Sequence, residues 1–183
     1  TGMGLERITA LLNGHNSNYK TDIFETLTAK VASESGVEYV DEEAGVPHRV
    51  ISDHLRTIAF SIADGVMPSN EGRGYVIRRI LRRASRYARK LGQKEAFLVK
   101  LLPTLVELMG EAFPELKARQ DFIANVVLAE EERFLKTLDV GLGLFDKLAA
   151  AAKADEKTIL AGEQVFQLYD TYGFPADLTR MLA

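Results

Sequence analysis

Residues 73–91, RGYVIRRILRRASRYARKL, form the stretch from which the fold class of this chain is most clearly predicted. Apolar residues recur along it mostly three or four positions apart, at Ile77, Ile80, Leu81, Ala84, Ala88 and Leu91. That spacing places them on one side of an α-helix and leaves the arginines on the other sides. The sequence therefore predicts an amphipathic helix over about residues 74–91.

The same helical spacing continues on both sides of this stretch, and no convincing two-residue alternation typical of β-strands occurs. Further helices are predicted over about residues 5–12, 22–35, 50–63, 94–111, 114–152, 161–169 and 175–182. The predicted fold class is all-α, a bundle-like helical domain with at most a short edge strand at Val37–Tyr39.

Two helix starts are predicted from capping patterns. Asp22 and Glu25 have the spacing of a capping box, in which two side chains satisfy free N–H groups of the first turn. Pro68 disfavours the helical conformation at Met67, so residues 66–72 are predicted to form a loop. Ser69 or Asn70 in that loop is then a candidate N-cap for the basic helix.

Composition excludes several classes of protein. The apolar fraction of 46% and the charged fraction of 27% are ordinary for a globular protein, and no apolar run approaches the roughly 20 residues that span a bilayer. Cysteine is absent, which excludes disulfides and thiolate metal sites within these 183 residues. The three histidines, His15, His48 and His54, lack the spacing of metal ligands, so no metal site is expected.

Charge is distributed unevenly along the chain. The net charge is −3, yet Arg73 to Lys90 contains eight basic residues, seven of them arginine, and no acidic residue. Arginine binds phosphate oxygens in pairs through its planar guanidinium, and an 18-residue helix is about 27 Å long. The pattern therefore favours a polyanion-binding helix. A solvated face, or ion pairs to acidic residues elsewhere, remains the alternative.

Three segments, in this order, resemble the alanyl-tRNA synthetase family of class II aminoacyl-tRNA synthetases. The first is TGMGLER, residues 1–7, which looks like motif 3 of the family. The second is ISDHLR, residues 51–56, followed by DGVMPSNEGRGYVIRRI, residues 64–80, and the third is LYDTYGFP, residues 168–175. The two longer strings are specific, and the resemblance covers the whole chain.

The resemblance implies a piece of a larger enzyme. Residues 1–35 would be the C-terminal end of the aminoacylation domain, and residues 36–183 would be the helical tRNA-recognition domain. The parent enzyme would use ATP with Mg²⁺ to activate L-alanine and transfer it to tRNA(Ala), in the cytoplasm and without a membrane. Motifs 1 and 2 would lie upstream, and an editing domain with a zinc site downstream. The 183 residues alone are therefore expected to hold no complete catalytic site and to be inactive.

Motif 3 of this family lies where ATP binds. Carried over, Gly2 and Gly4 would line the alanyl-adenylate pocket, since glycine permits close backbone approach, and Arg7 would meet the ATP phosphates. Without the resemblance, the same residues indicate only a glycine-led helix start with Arg7 at the surface.

The family selects its tRNA largely by a G·U pair in the acceptor stem, and the two side chains implicated match Asn70 and Asp170. A G·U pair leaves the amine of G unpaired in the shallow minor groove of A-form RNA, where side chains can reach it. A carboxylate accepts from that amine, and an amide both donates and accepts. From the residues alone, helix capping by Asn70 and turn formation by Asp170 are the preferred interpretation, and these roles are compatible with RNA recognition.

The basic helix would then bind the phosphates of the acceptor stem. The candidate side chains are Arg73, Arg78, Arg79, Arg82, Arg83 and Arg86. Two other functions remain open from the residues: a non-enzymatic helical module that binds nucleic acid through charge alone, and an interaction domain that docks on an acidic protein.

Overall fold

The computed structural model describes residues 2–155, 157–171, 174 and 176–183. These residues form α-helices joined by loops and two short 3-10 turns, with no β-strand among them, so the all-α prediction is confirmed. The helices are α1 (Leu5–Leu12), α2 (Asp22–Ser35), α3 (Val46–Ala63), α4 (Gly72–Lys90), α5 (Leu98–Met109), α6 (Pro114–Ala118), α7 (Gln120–Ala154), α8 (Gly162–Asp170) and α9 (Ala176–Leu182).

Three predicted helices differ from the structure by more than two residues at one end or are divided in it. α3 begins at Val46 rather than near Val50, with Pro47 in its first turn, where a missing N–H costs nothing. α5 begins at Leu98 rather than near Lys94. The predicted helix over 114–152 is divided at Arg119, whose side chain donates a hydrogen bond of 2.5 Å to the carbonyl of Ala63 at the end of α3.

The edge strand proposed for Val37–Tyr39 does not form. This segment is irregular, and side chains of α3 rather than a neighbouring strand satisfy the backbone around it. His48 Nε2 donates to the carbonyl oxygen of Val37 at 2.9 Å, and Arg49 donates to that of Asp41 at 2.9 Å. The capping box is also wrong: Asp22 lies inside the first turn of α2, and its Oδ1 accepts from the adjacent N–H of Ile23 at 2.9 Å.

The chain divides into two compact units, Thr1–Glu131 and Glu132–Ala183. The core of the first unit is apolar and includes buried residues of α2 to α7, such as Leu27, Ile58, Leu81 and Leu102. The boundary predicted between residues 35 and 36 stays a prediction. None of the described helices combines the length and the apolar character that a membrane span requires.

The second unit has its own core. Phe134, Leu138 and Phe145 of α7 are buried there with Leu168 of α8 and with Phe174. Phe174 packs so closely on Gly141 that a Cβ at this glycine would lie 2.0 Å from the phenylalanine ring. The glycine therefore allows an aromatic ring to contact the backbone of α7.

Candidate nucleic-acid interface

The apolar side of α4 is buried as the sequence predicts. Ile77, Leu81, Ala84 and Ala88 are each at most 7% exposed, and the last three belong to the core of the first unit. The helix packs mostly on α3. The other faces of the helix carry mainly charged and aromatic side chains.

Seven of the eight basic residues of α4 form two groups that differ in exposure, and the half-buried Arg89 is in neither group. The outer basic face comprises the exposed side chains Arg73, Arg79, Arg83 and Lys90, and the inner arginine row comprises the half-buried Arg78, Arg82 and Arg86. Two tyrosines lie on the outer basic face: Arg79 stands over the ring of Tyr75 at 5.7 Å, and Arg83 over that of Tyr87 at 5.9 Å. The outer basic face is therefore an array of cations and aromatic rings, in which Tyr75 is exposed and Tyr87 is partly buried against the core of the first unit.

The inner arginine row meets an acidic residue of α7. Arg78 Nε lies 2.8 Å from Glu130 Oε1, and Arg78 Nη2 donates to Glu130 Oε2 at 3.1 Å. Arg82 Nη2 lies 3.5 Å from the same Oε1. Glu130 is only 5% exposed, and a buried carboxylate requires such partners. Arg78 and Arg82 therefore form the ion pairs that were the alternative to polyanion binding. Their partner, Glu130, lies on α7, so residue spacing within α4 could not reveal it.

Asn70 lies in the loop before α4 and is held by Arg78. The guanidinium donates from Nη1 to Asn70 Oδ1 and from Nη2 to the carbonyl oxygen of Pro68 at 3.5 Å. The side chain of Asn70 is exposed and does not cap α4. Ser69 does not cap it either, because the N-cap residue is Glu71. The hydroxyl of Ser69 donates to the carbonyl oxygen of Glu71 at 2.8 Å and accepts from its N–H at 3.4 Å. The capping role expected for these two residues is therefore wrong.

A glycine brings this loop close to the helix. A Cβ on Gly74 would lie 2.2 Å from the carbonyl oxygen of Met67 and 2.3 Å from Ser69 Oγ. The N–H of Ser69 donates to the carbonyl oxygen of Gly74 at 3.1 Å. Residues 67–70 therefore rest directly on the first turn of α4, which places Asn70 beside the basic helix.

A second carboxylate of α7 links α4 to α5. Glu131 Oε1 accepts from the hydroxyl of Ser85 at 3.1 Å, and its Oε2 accepts from the N–H of Leu98 at 3.0 Å. Burial raises the pKa of Glu131 to about 7, although these hydrogen bonds act in the opposite direction. The bond to Leu98 also explains why α5 begins there, since Glu131 satisfies a first-turn N–H.

Asp170 belongs to the second unit. It is the last residue of α8, and its side chain is exposed. Leu168 and Phe174 on either side are buried, and the N–H of Phe174 donates to the carbonyl oxygen of Leu168 at 2.9 Å. Tyr172, Gly173 and Pro175 of the same sequence string lie outside the described residues. The joint action of Asn70 and Asp170 stays a prediction, because they belong to different units.

The residues expected to form motif 3 lie at and just before the start of α1. Gly4 has φ +81°, a left-handed conformation that glycine adopts readily, and Gly2 and Arg7 are exposed. Thr1 lies outside the described residues. The adjacent Glu6 pairs with Arg56 of α3 at 2.5 Å, beside a cleft of about 270 Å³ that Gly2, Gly4 and Arg7 do not line. Among the described residues, no group of three or more histidine, aspartate or glutamate side chains is arranged to hold a metal ion.

Comparison with known proteins gives a consistent result. The sequence profile of the family described as tRNA synthetases class II (A) matches residues 1–183. An alanine–tRNA ligase of Chlorobium phaeovibrioides is 50% identical over 186 residues, and one of Bacteroides fragilis is 53% identical over 184 residues; both matches cover 100% of this chain and 21% of the relative. An alanine–tRNA ligase of Shewanella amazonensis is 55% identical over 179 residues, which are 98% of this chain and 20% of the relative. The chain spans about a fifth of the length of these relatives.

Proposed function

Because the chain belongs to the class II tRNA synthetases (A), we propose that it is the tRNA-recognition part of an alanine–tRNA ligase. The names of its relatives support this, although the chain spans only about a fifth of their length. The whole enzyme activates L-alanine with ATP and Mg²⁺ and transfers it to tRNA(Ala). This chain contributes mainly to the selection of that tRNA.

One observation supports the RNA-binding role most directly: the outer basic face of α4 is exposed beside the loop that holds Asn70. Phosphate contacts position a nucleic acid, and contacts to bases specify it. Arg73, Arg79 and Arg83 contact the phosphates of the acceptor stem. Arg78 and Arg82 instead hold Glu130, so their part in binding is indirect.

The proposed selection rests on Asn70 and Asp170. Both side chains are exposed and polar, and both lie beside well-anchored backbone: Asn70 on the first turn of α4, Asp170 next to the buried Leu168. Exposed hydrogen-bonding groups on fixed backbone suit recognition of a base pair in the shallow minor groove of an RNA helix. We propose that they recognise a G·U pair of the acceptor stem.

The proposed adenylate site is incomplete in these 183 residues. Gly2, Gly4 and Arg7 would line the alanyl-adenylate pocket together with groups from the remainder of the enzyme, where a zinc-containing editing domain is also expected. The 183 residues alone are therefore inactive in this proposal.

Aminoacylation by the intact enzyme tests the proposed selection. We expect Asn70→Ala and Asp170→Ala each to lower kcat/KM for a G·U stem more than for a G·C stem, by about 1–3 kcal/mol if buried hydrogen bonds to the pair are lost. Asn125→Ala and Asp146→Ala, at exposed positions of α7, are matched controls that should leave the preference unchanged. An equal loss on both stems would contradict base recognition and favour binding through charge alone.

A further inference from the structure

We infer that Glu130 positions Asn70 for RNA recognition, acting through Arg78, and so determines that Asn70 presents an N–H donor to the RNA. The inference rests on the proposed function, because it concerns how Asn70 contacts the acceptor stem. Glu130 lies 60 residues after Asn70 in the sequence and has no place in the sequence motifs described above.

The first step is the contact between Glu130 and Arg78. Arg78 Nη2 donates a hydrogen bond to Glu130 Oε2 at 3.1 Å, and Nε lies 2.8 Å from Oε1 in an ion pair without a hydrogen bond. A hydrogen bond and an ion-pair contact to the same carboxylate restrict how the guanidinium can turn. Glu130 is 5% exposed and the Arg78 side chain 12%, so water competes little for either group. The carboxylate thus holds the guanidinium in one orientation.

The second step is the contact between Arg78 and Asn70. With Nε and Nη2 on Glu130, the remaining nitrogen Nη1 points at the side-chain amide of Asn70. A guanidinium has donors and no acceptor, so the amide must turn its oxygen toward Arg78. Its nitrogen then points away from Arg78, and the exposed side chain of Asn70 offers an N–H donor to a ligand.

The orientation has a consequence for recognition. The minor-groove edge of a base pair presents purine N3 and pyrimidine O2 as acceptors, and G adds its amine as a donor. A donating Asn70 matches an acceptor rather than the amine of G. In a wobble pair the pyrimidine is displaced relative to its position in a G·C pair. A donor can therefore distinguish the two pairs only if it is held rigidly, which is the role assigned here to Glu130.

The first test uses Glu130→Gln in the intact enzyme. The variant retains an acceptor for Arg78 but loses the charge that fixes the guanidinium. We expect the ratio of kcat/KM values for G·U and G·C stems to fall about tenfold, the factor for a hydrogen bond of about 1.4 kcal/mol. Glu132→Gln removes an exposed carboxylate two residues further along α7 and should leave this ratio unchanged.

A double-mutant cycle separates positioning from a general structural role. If Glu130 acts through Asn70, Glu130→Gln causes no further loss of preference in an Asn70→Ala background. Independent, multiplying losses would overturn the inference. Arg78→Lys provides a second variant in case Glu130→Gln does not fold: lysine keeps the charge but cannot hold Glu130 and Asn70 in a fixed plane. It should lower the preference to a similar extent, and an unchanged preference would overturn the inference.

The donor assignment is tested with Asn70→Asp. Aspartate retains an oxygen for Arg78 but has no N–H, so we expect it to lose the G·U preference as fully as Asn70→Ala does. Retained preference would overturn the donor assignment, because a carboxylate can only accept from the amine of G.

If the proposed function itself is wrong, these experiments give a different result. If Asn70→Ala itself leaves the preference unchanged, then Asn70 does not recognise the pair. A crystal structure of the Glu130→Gln enzyme then decides the positioning claim. Loss of the contact between Arg78 and Asn70 supports it, and an unmoved guanidinium overturns it.

Discussion

Glu130 and Glu131 are adjacent on α7, both buried, and meet different kinds of partner. Glu130 faces the guanidinium groups of Arg78 and Arg82, whereas Glu131 accepts hydrogen bonds from the neutral donors of Ser85 and Leu98. Hydrogen bonds from neutral groups offset the desolvation of a carboxylate less than cations do. At Glu131 desolvation therefore dominates and raises the pKa to about 7.

This pKa makes stability depend on pH. Well below pH 4.5 Glu131 is protonated in the folded and the unfolded chain, so its titration does not change the free energy of unfolding there. Between pH 4.5 and about 7 the unfolded chain ionises first, so the free energy of unfolding falls as pH rises, by about 3 kcal/mol at about 1.4 kcal/mol per pKa unit. Denaturant unfolding of wild type and Glu131→Gln from pH 4 to 8 measures this effect.

The Glu131→Gln variant should abolish the pH dependence of the free energy of unfolding that comes from Glu131, while retaining hydrogen-bonding groups for Ser85 and Leu98. We expect its stability relative to wild type to increase as pH rises from 4.5 to about 7, and to change little above that range. Glu132→Gln, at an exposed neighbouring position, should show a constant difference. A constant difference for Glu131→Gln as well would contradict the raised pKa.

At the scale of the element, α4 shows what periodicity can and cannot predict. Its apolar side was predictable, because spacings of three and four residues place side chains on one face whatever packs against it. The division of its arginines into an outer and an inner group was not predictable. It depends on Glu130, which lies 52 residues after Arg78 in the sequence.

The same limit applies to the loop before α4. Ser69 and Asn70 are good capping residues, and capping was the local expectation. Gly74 instead lets the loop rest on the helix, and Arg78 binds the amide of Asn70. The RNA-binding role of Asn70, like that of Asp170, was predicted only through the family resemblance. Its orientation required the tertiary structure.

The outer basic face yields a prediction about salt. Arg79→Ala or Arg83→Ala should weaken binding of the intact enzyme to G·U and G·C stems equally, because phosphates carry no sequence information. Each change should also reduce the slope of log affinity against log salt by about one, the expectation for one lost phosphate contact. Titrations of labelled acceptor stems at several salt concentrations measure both quantities.

Lys117→Ala is the matched control, since it removes an exposed positive charge from α6. Its salt slope should equal that of wild type. A loss confined to the G·U stem, or an unchanged slope in the arginine variants, would contradict the assignment of the outer basic face to phosphates.

At the scale of the whole molecule, the chain consists of two units, each with its own core. The division at residues 131 and 132 falls inside α7, where helical spacing of apolar residues continues without interruption. Periodicity alone therefore could not predict it. The boundary predicted at residue 35 came from the resemblance, whereas buried residues of α2 such as Leu27 and Val31 share the core of the first unit.

The last prediction concerns chemistry by the 183 residues alone. Gly2 and Arg7 are exposed, and the neighbouring Met3, Leu5, Leu11 and Leu12 are 65–82% exposed, so the described residues form no enclosed pocket around them. Adenylate formation requires charge-stabilising groups fixed around ATP. We therefore expect no alanine-dependent ATP–pyrophosphate exchange from this chain and clear exchange from the intact enzyme. In the intact enzyme, Arg7→Ala should lower the exchange rate at least tenfold, which corresponds to about 1.4 kcal/mol. Exchange by the isolated chain that Arg7→Ala abolishes would contradict the proposal that the site is completed elsewhere.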